Sequence, residues 1–224
     1  MLRAATRWDM PAIASLWQEA FGEPAQAVSS FFDAFPGCLS YVAVEDGTVV
    51  SMVHALPQVL SPDIPAAYIY AVATLQSHRG RGLCARLMAF AETDLQQRGF
   101  SCCVLTPGEP SLFAFYDRLG YAAAFTRCRS VFSGGVPISL PAYLTRREAL
   151  LTVPHMVCDE ATLEYARQIY GLSFYETEDG IAAASSDYTA EVLPQDLGGS
   201  PFAMIKWLTA PQPLHNAYLG FALE

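Results

Sequence analysis

Residues 76–87, QSHRGRGLCARL, join an apolar run to a helical one, and this junction constrains the fold more than any other stretch. The run before it, AAYIYAVATL (66–75), reads as a buried strand. After it, Leu83, Leu87, Met88, Ala91 and Leu95 fall on one helical face, with Gly99 as the stop. SCCVLT (101–106) then reads as another strand, so the segment is a β-α-β crossover, a unit that belongs to a sheet with parallel strands. Two glycines, Gly80 and Gly82, stand between Arg79 and Arg81 where the chain enters the helix. A helix start leaves main-chain N–H groups without partners and carries the positive end of the helix dipole. Glycine lets a ligand come close to that backbone. The turn therefore has the chemistry of an anion site, or else it is an ordinary strand–helix connection.

Upstream, Arg3–Ala5 reads as a short strand and Asp9 as the cap of a helix closed by Gly22, with a second helix over residues 25–35. CLSYVAVEDGTVVSMVHALPQVL (38–60) is a hairpin around Asp46-Gly47. Downstream, SLFAFYDRLGY is a short helix stopped by Gly120, followed by a strand over 122–133. Gly134 to Thr152, with its glycines and prolines, reads as loose. Beyond it come a helix capped by Asp159 and closed by Gly171, a hairpin at Asp179-Gly180, and strands at 202–210 and 217–223. The fold class expected is mixed α/β (α+β). Its parts are a main domain over residues 1–135, a linker over 136–152 and a smaller α+β domain over 153–224.

Only 16% of the residues are charged and 52% are apolar or aromatic, enough for a large core. The net charge of −9 argues against a nucleic-acid partner. Most of that excess lies beyond residue 130, where 11 acidic residues face 4 basic ones, a surface compatible with a cationic ligand. No apolar run has the roughly 18 residues of a membrane span, and Arg7 and Asp9 break any signal-peptide core, so a cytoplasmic protein is expected. The six cysteines form neither C-x-x-C nor a metal spacing; free thiols and no metal are expected.

Two specific readings compete for the glycine turn. Gly80-x-Gly82-x-x-Ala85 fits the dinucleotide fingerprint, but residues 76–79 separate it from its strand and the next strand ends in Thr106 rather than an acid. The second reading uses more residues. AVATLQSHRGRGLCARLM, with LFAFYDRLGY some thirty residues later, resembles the GNAT superfamily of acyl-CoA-dependent N-acetyltransferases, over about residues 1–135. The family's diphosphate loop, [Q/R]-x-x-G-x-[G/A], falls on Arg79-Gly80-Arg81-Gly82-Leu83-Cys84; Arg79 and Gly82 match, whereas Cys84 departs from it.

The resemblance implies a GNAT-like central mixed sheet flanked by helices, and acetyl-CoA as co-substrate. It implies cofactor contacts by Arg79, Gly80, Arg81, Gly82, Leu83, Cys84 and Ala85. Val72, Ala73 and Thr74 would lie along the pantetheine, with a main-chain N–H polarising the thioester carbonyl. It makes Tyr116 the acid that protonates the departing thiolate. A phenol titrates near 10, close to that thiol, so the transfer is nearly balanced. His78 is either a contact to the 3′-phosphate end or an exposed loop residue.

The acceptor is expected to be the primary amine of a small molecule or peptide. At neutral pH about one such amine in a thousand is uncharged. His54 and Glu109 are the side chains placed to help, with Tyr70 also assigned to the acceptor side; water held by carbonyls is the default base. The C-terminal Glu224 is a remote further candidate. No membrane partner is expected, and a homodimer is compatible with the sequence. The alternative function is a non-catalytic GNAT-like module that binds a CoA thioester or a protein partner as a sensor.

Overall fold

The hairpin at Asp46-Gly47 turns with both residues at positive φ, 48° and 77°, the geometry that matches strand twist. It sits in the first of two units of the computed structural model, which describes residues 1–221. Glu224 lies outside the described residues. The first unit comprises Met1–Pro57, Pro65–Leu105 and Trp207–Ala210. The second comprises Gln58–Ile64, Thr106–Lys206 and the residues from Pro211 on.

The first unit holds β1 (Leu2–Ala4), α1 (Met10–Phe21), α2 (Ala25–Ala34), β2 (Leu39–Glu45), most of β3 (Thr48–Leu60) and β4 (Ile64–Thr74), α3 (Leu83–Gln97) and β5 (Cys102–Leu105). Its strands lie in the order β1-β2-β3-β4-β5. β1 and β3 run antiparallel to β2, while β4 and β5 are parallel, joined by the α3 crossover. Leu83, Leu87, Met88, Ala91 and Leu95 of α3 are all buried, as their spacing requires. Ile13, Leu16 and Trp17 of α1 and Val28 and Phe31 of α2 are buried too. Gly22 closes α1 at φ 73°, its N–H bonded to the Gln18 carbonyl. Asp9 differs from its expected role. Its carboxylate takes the Thr6 N–H and hydroxyl across a single 3-10 turn, and the Arg3 guanidinium at 2.7 Å, rather than capping α1.

The second unit holds α4 (Ser111–Asp117), β6 (Ala122–Arg127), β7 (Val136–Pro137), α5 (Leu140–Leu150), β8 (Met156–Val157), α6 (Glu160–Tyr170), β9 (Ser173–Glu176), β10 (Ile181–Ala184), β11 (Thr189–Leu193) and β12 (Ser200–Trp207). β11-β10-β9-β7 form a small sheet, and β12 pairs antiparallel with β6. Asp159 caps α6 through the Thr162 N–H, and Gly171 ends it at φ 64°. The stretch read as loose contains α5. Ser139 caps it, and Pro141 sits in its first turn, where a missing N–H costs nothing. The strand expected at 217–223 is, among the described residues, two single bridges, Phe125↔Ala217 and His155↔Tyr218. Tyr143, Leu163, Ala166, Phe174, Ile181 and Leu193 are the centre of this unit's core.

Candidate functional site

β4 and β5 pair only from Ala66↔Cys102 to Tyr68↔Val104, yet β4 runs on to Thr74. In that extension Ala71 has φ 47°, a left-handed conformation that costs an alanine about 1–2 kcal/mol. Tyr70, Ala71, Val72 and Thr74 are half-buried, and Ala73 is buried. Ser51 on β3, fully buried, fixes this end. Its hydroxyl donates to the Ala73 carbonyl at 2.8 Å and shares a 2.8 Å hydrogen bond with the Thr74 hydroxyl. The sequence reading missed Ser51. Its signal was a single serine inside the apolar run VVSMV.

The chain then makes a short 3-10 turn over Gln76–His78, held by Glu19, whose carboxylate accepts the Gln76 N–H at 2.9 Å. Arg79 folds back so that its Nε donates to the Thr74 carbonyl at 3.1 Å. Gly80 and Gly82 follow at φ 74° and 67°, and α3 starts at Leu83 with Gly82 as its cap and no side chain bonded there. The first main-chain amide to find a carbonyl is that of Arg86, on Gly82 at 3.1 Å. Among the described residues, none supplies an acceptor to the N–H groups of Gly80, Arg81, Gly82, Leu83, Cys84 or Ala85. This is a row of donors at the positive end of a helix.

Charges around the turn are mixed. Arg81 pairs with Glu45 at 2.9 Å, and His78 Nε2 lies 3.9 Å from the same carboxylate. His78 also shares a 2.8 Å hydrogen bond with Ser77. Cys84, at the family's Gly or Ala position, is half-buried, and burial pushes its thiol up to about 11, so it stays neutral.

The first unit thus brings together Val72, Ala73, Thr74 and residues 79–85, with Tyr70 two residues upstream of Val72 on β4. His54 is placed differently from an exposed base. Its ring is fully buried, its Nδ1 shares a 2.8 Å hydrogen bond with Ser40, and the rings of Trp17 and Phe32 lie 5.3 and 5.4 Å away. Burial lowers its pKa to about 3, so a ring so placed is not a ready base at neutral pH.

Glu109 and Tyr116 belong to the second unit. Glu109 is exposed just before α4 and accepts the Ser111 hydroxyl at 2.8 Å. Tyr116 lies in the last turn of α4, only 7% exposed, edge-on to Phe115 and Tyr121. Its carbonyl takes the N–H groups of Leu119 and Tyr121, which turn the chain at Gly120. Among the described residues, no cluster of three or more His, Cys, Asp or Glu is arranged to hold a metal.

Comparison with known proteins agrees with this layout. The acetyltransferase (GNAT) domain model matches residues 1–124. An uncharacterised N-acetyltransferase of Streptomyces coelicolor is 31% identical over 109 residues, which are 48% of this chain and 26% of that protein. A probable N-acyltransferase of unknown function from Enterococcus faecalis superposes with a TM-score of 0.64 at 20% identity, over 83% of this chain and 55% of that one. A GCN5-related N-acetyltransferase from Kribbella flavida gives 0.62 at 21% identity, over 85% and 56%. At these identities the solved structures speak for the fold alone, and the chain spans only about half of their length and about a quarter of the curated relative's. The matched residues include the strand, glycine turn and helix just described and make up more than half of the chain, which therefore belongs to the GNAT acetyltransferase family.

Proposed function

We propose that this protein transfers an acetyl group from acetyl-CoA to the primary amine of a small molecule or peptide by direct attack of the amine. The observation that carries the reading is the row of open amides at residues 80–85, beyond a strand whose ladder with β5 has already ended. Acetyl-CoA supplies the acetyl group activated as a thioester. In this reading the six amides, with Arg79 and Arg81, hold the diphosphate. Cys84 adds a small neutral side chain there and no negative charge. The main chain of Val72, Ala73 and Thr74, held in place by Ser51, gives an N–H to the carbonyl oxygen of the reacting group. Tyr116 donates its phenolic proton to the leaving sulfur. Deprotonation of the amine falls to water rather than to the enclosed His54, with Glu109 as the exposed carboxylate near α4. Five of the six cysteines are at least half-buried free thiols, which suits a reducing compartment such as the cytoplasm.

Titration calorimetry with acetyl-CoA tests donor binding, and mass detection of acetylated products from an amine panel tests transfer. Saturable binding below millimolar concentration and at least one acetylated amine are expected. No heat at millimolar acetyl-CoA removes the reading, and binding without any product converts it into that of a non-catalytic sensor. Tyr116→Phe is expected to lower kcat at least tenfold with the acetyl-CoA Kd unchanged. An unaltered kcat retires Tyr116 as the acid.

A further inference from the structure

We propose that the acceptor amine carries an aromatic ring, and that Tyr70 and Phe32 select it; the inference rests on the acetyl-transfer reading above. α1 and α2 bring an unusual density of rings against β3 and β4 within the first unit. Besides His54, Trp17 has the rings of Phe21, Phe31, Phe32 and Tyr70 as neighbours in this cluster, at centroid distances of 5.9, 5.2, 6.3 and 5.8 Å. Phe31 stacks on Tyr70 at 5.2 Å with an interplanar angle of 30°. The members differ in access. Trp17 and Phe31 are buried and form a floor, whereas Phe32 and Tyr70 are half-buried and Phe21 is 46% exposed. A ring surface therefore continues from the interior to solvent.

Its place on the strand gives it a direction. Tyr70 immediately precedes Ala71, the strained residue, and Val72–Thr74, the segment assigned to the reacting carbonyl. An amine whose body rests on Tyr70 has its nitrogen within a few residues of that segment, since adjacent residues of a strand rise about 3.3 Å each. Flat rings gain from such a surface by edge and face contacts beyond area burial, and a linear chain does not.

A second, independent observation lies beneath the same rings. His54 is wholly enclosed by this cluster, with Trp17, Phe31 and Phe32 at 5.3, 6.3 and 5.4 Å. Its Nδ1 is engaged by Ser40, and among the described residues none offers its Nε2 a hydrogen bond. A buried polar atom without a partner gives up its hydration with nothing in return, which destabilises the site. A ligand that displaces the half-buried Phe32 ring and presents a polar ring substituent reaches that nitrogen and relieves the cost. The favoured acceptor is thus an arylalkylamine whose ring bears a hydrogen-bonding group, not a linear polyamine.

The test compares acetylation of 4-hydroxyphenethylamine, phenethylamine, its cyclohexyl counterpart and hexylamine. Expected are kcat/KM values falling in that order, with at least a tenfold span between the first and last. Phe32→Ala should cut this span at least fivefold, and His54→Leu should remove the difference between the first two amines. Equal kcat/KM across the four, or a larger value for hexylamine, overturns the inference. A readout free of turnover is the emission of Trp17, isolated by comparison with Trp17→Phe, on titration with the same amines. A saturable change with the aryl amines but no acetylation upholds the ring site while the transfer reading fails. Acetylation without aryl preference does the reverse. No emission change together with no acetylation of the aryl amines sinks the ring site, whatever calorimetry finds for acetyl-CoA.

Discussion

At the scale of single residues, His54 shows what environment does to a side chain that composition alone presents as a titrating base. The sequence places a histidine on a strand beside the central one; it does not say that two aromatic-rich helices close over it. Enclosure lowers its pKa to about 3, against about 6.5 in an unfolded chain. As pH falls from 7, the unfolded state therefore takes up the proton first. The native state loses about 1.4 kcal/mol of stability per pH unit below about 6.5, down to the folded value, and nothing above it. In His54→Gln that loss is absent. The stability gap between wild type and variant, from urea unfolding, is expected to be constant above pH 7 and to shrink by about 2 kcal/mol by pH 5. A gap that does not change with pH would mean that the ring takes up its proton as readily in the native state as in the unfolded chain. Ser51 makes the complementary point: a lone polar residue in an apolar strand is easily passed over, yet it fixes the carbonyl and hydroxyl at the end of β4. Asp9 was legible as a helix-start residue but not in its actual place, the third residue of a 3-10 turn bonding back to Thr6, and the Arg3 partner comes from a separate strand.

At the scale of elements, the strand–turn–helix was fully readable. Its signals are local: the apolar run ends at Leu75, glycines supply positive φ, and an apolar face repeats from Leu83 to Leu95. α5 was not, since Gly134, Gly135, Pro137 and Pro141 around it read as breakers. The proline lies in the helix's first turn, and the apolar face is weak, with Tyr143 and Arg147 as its buried residues. The glycine turn allows a separation of fold from ligand. Gly80 has φ 74°, and a Cβ built there meets no protein atom within 4 Å. Gly80→Ala thus costs only the left-handed strain of about 1 kcal/mol in stability. A diphosphate drawn close to the same backbone would meet the new methyl. The acetyl-CoA Kd is expected to rise at least fivefold by calorimetry while the urea midpoint moves little. A Kd that follows stability alone would place the ligand elsewhere.

At the scale of the whole molecule, the acidic excess of the second half was readable as a count but not as an arrangement. Glu191 and Asp196 are fully buried, not part of an acidic surface. Asp196 faces Arg127 at 3.4 Å, and Glu191 accepts from Arg147 Nε at 3.1 Å and from its Nη2 at 3.2 Å, with the Tyr143 hydroxyl donating to the same carboxylate. The partners stand 44 and 69 residues apart in sequence, and no periodicity marks them. The same distance effect hides the units, for Trp207–Ala210 belongs with the first and Gln58–Ile64 with the second. The Arg147–Glu191 pair is fully buried beside Tyr143, a member of this unit's core, where two charges give up their water and are compensated chiefly by each other, with the Tyr143 hydroxyl on Glu191 and Glu148 at 3.4 Å from Arg147. Removing one leaves the other stranded: Arg147→Leu or Glu191→Leu should each cost about 3–5 kcal/mol. Arg147→Leu with Glu191→Leu strands neither charge, so its cost should be smaller than that of either single change, even though Tyr143 loses its acceptor. Urea unfolding of the three variants, followed by the signal of the second unit's tyrosines, measures this. If the double variant were instead as unstable as the two singles added together, the pair would be acting as two independent packing residues and the ionic link would hold nothing.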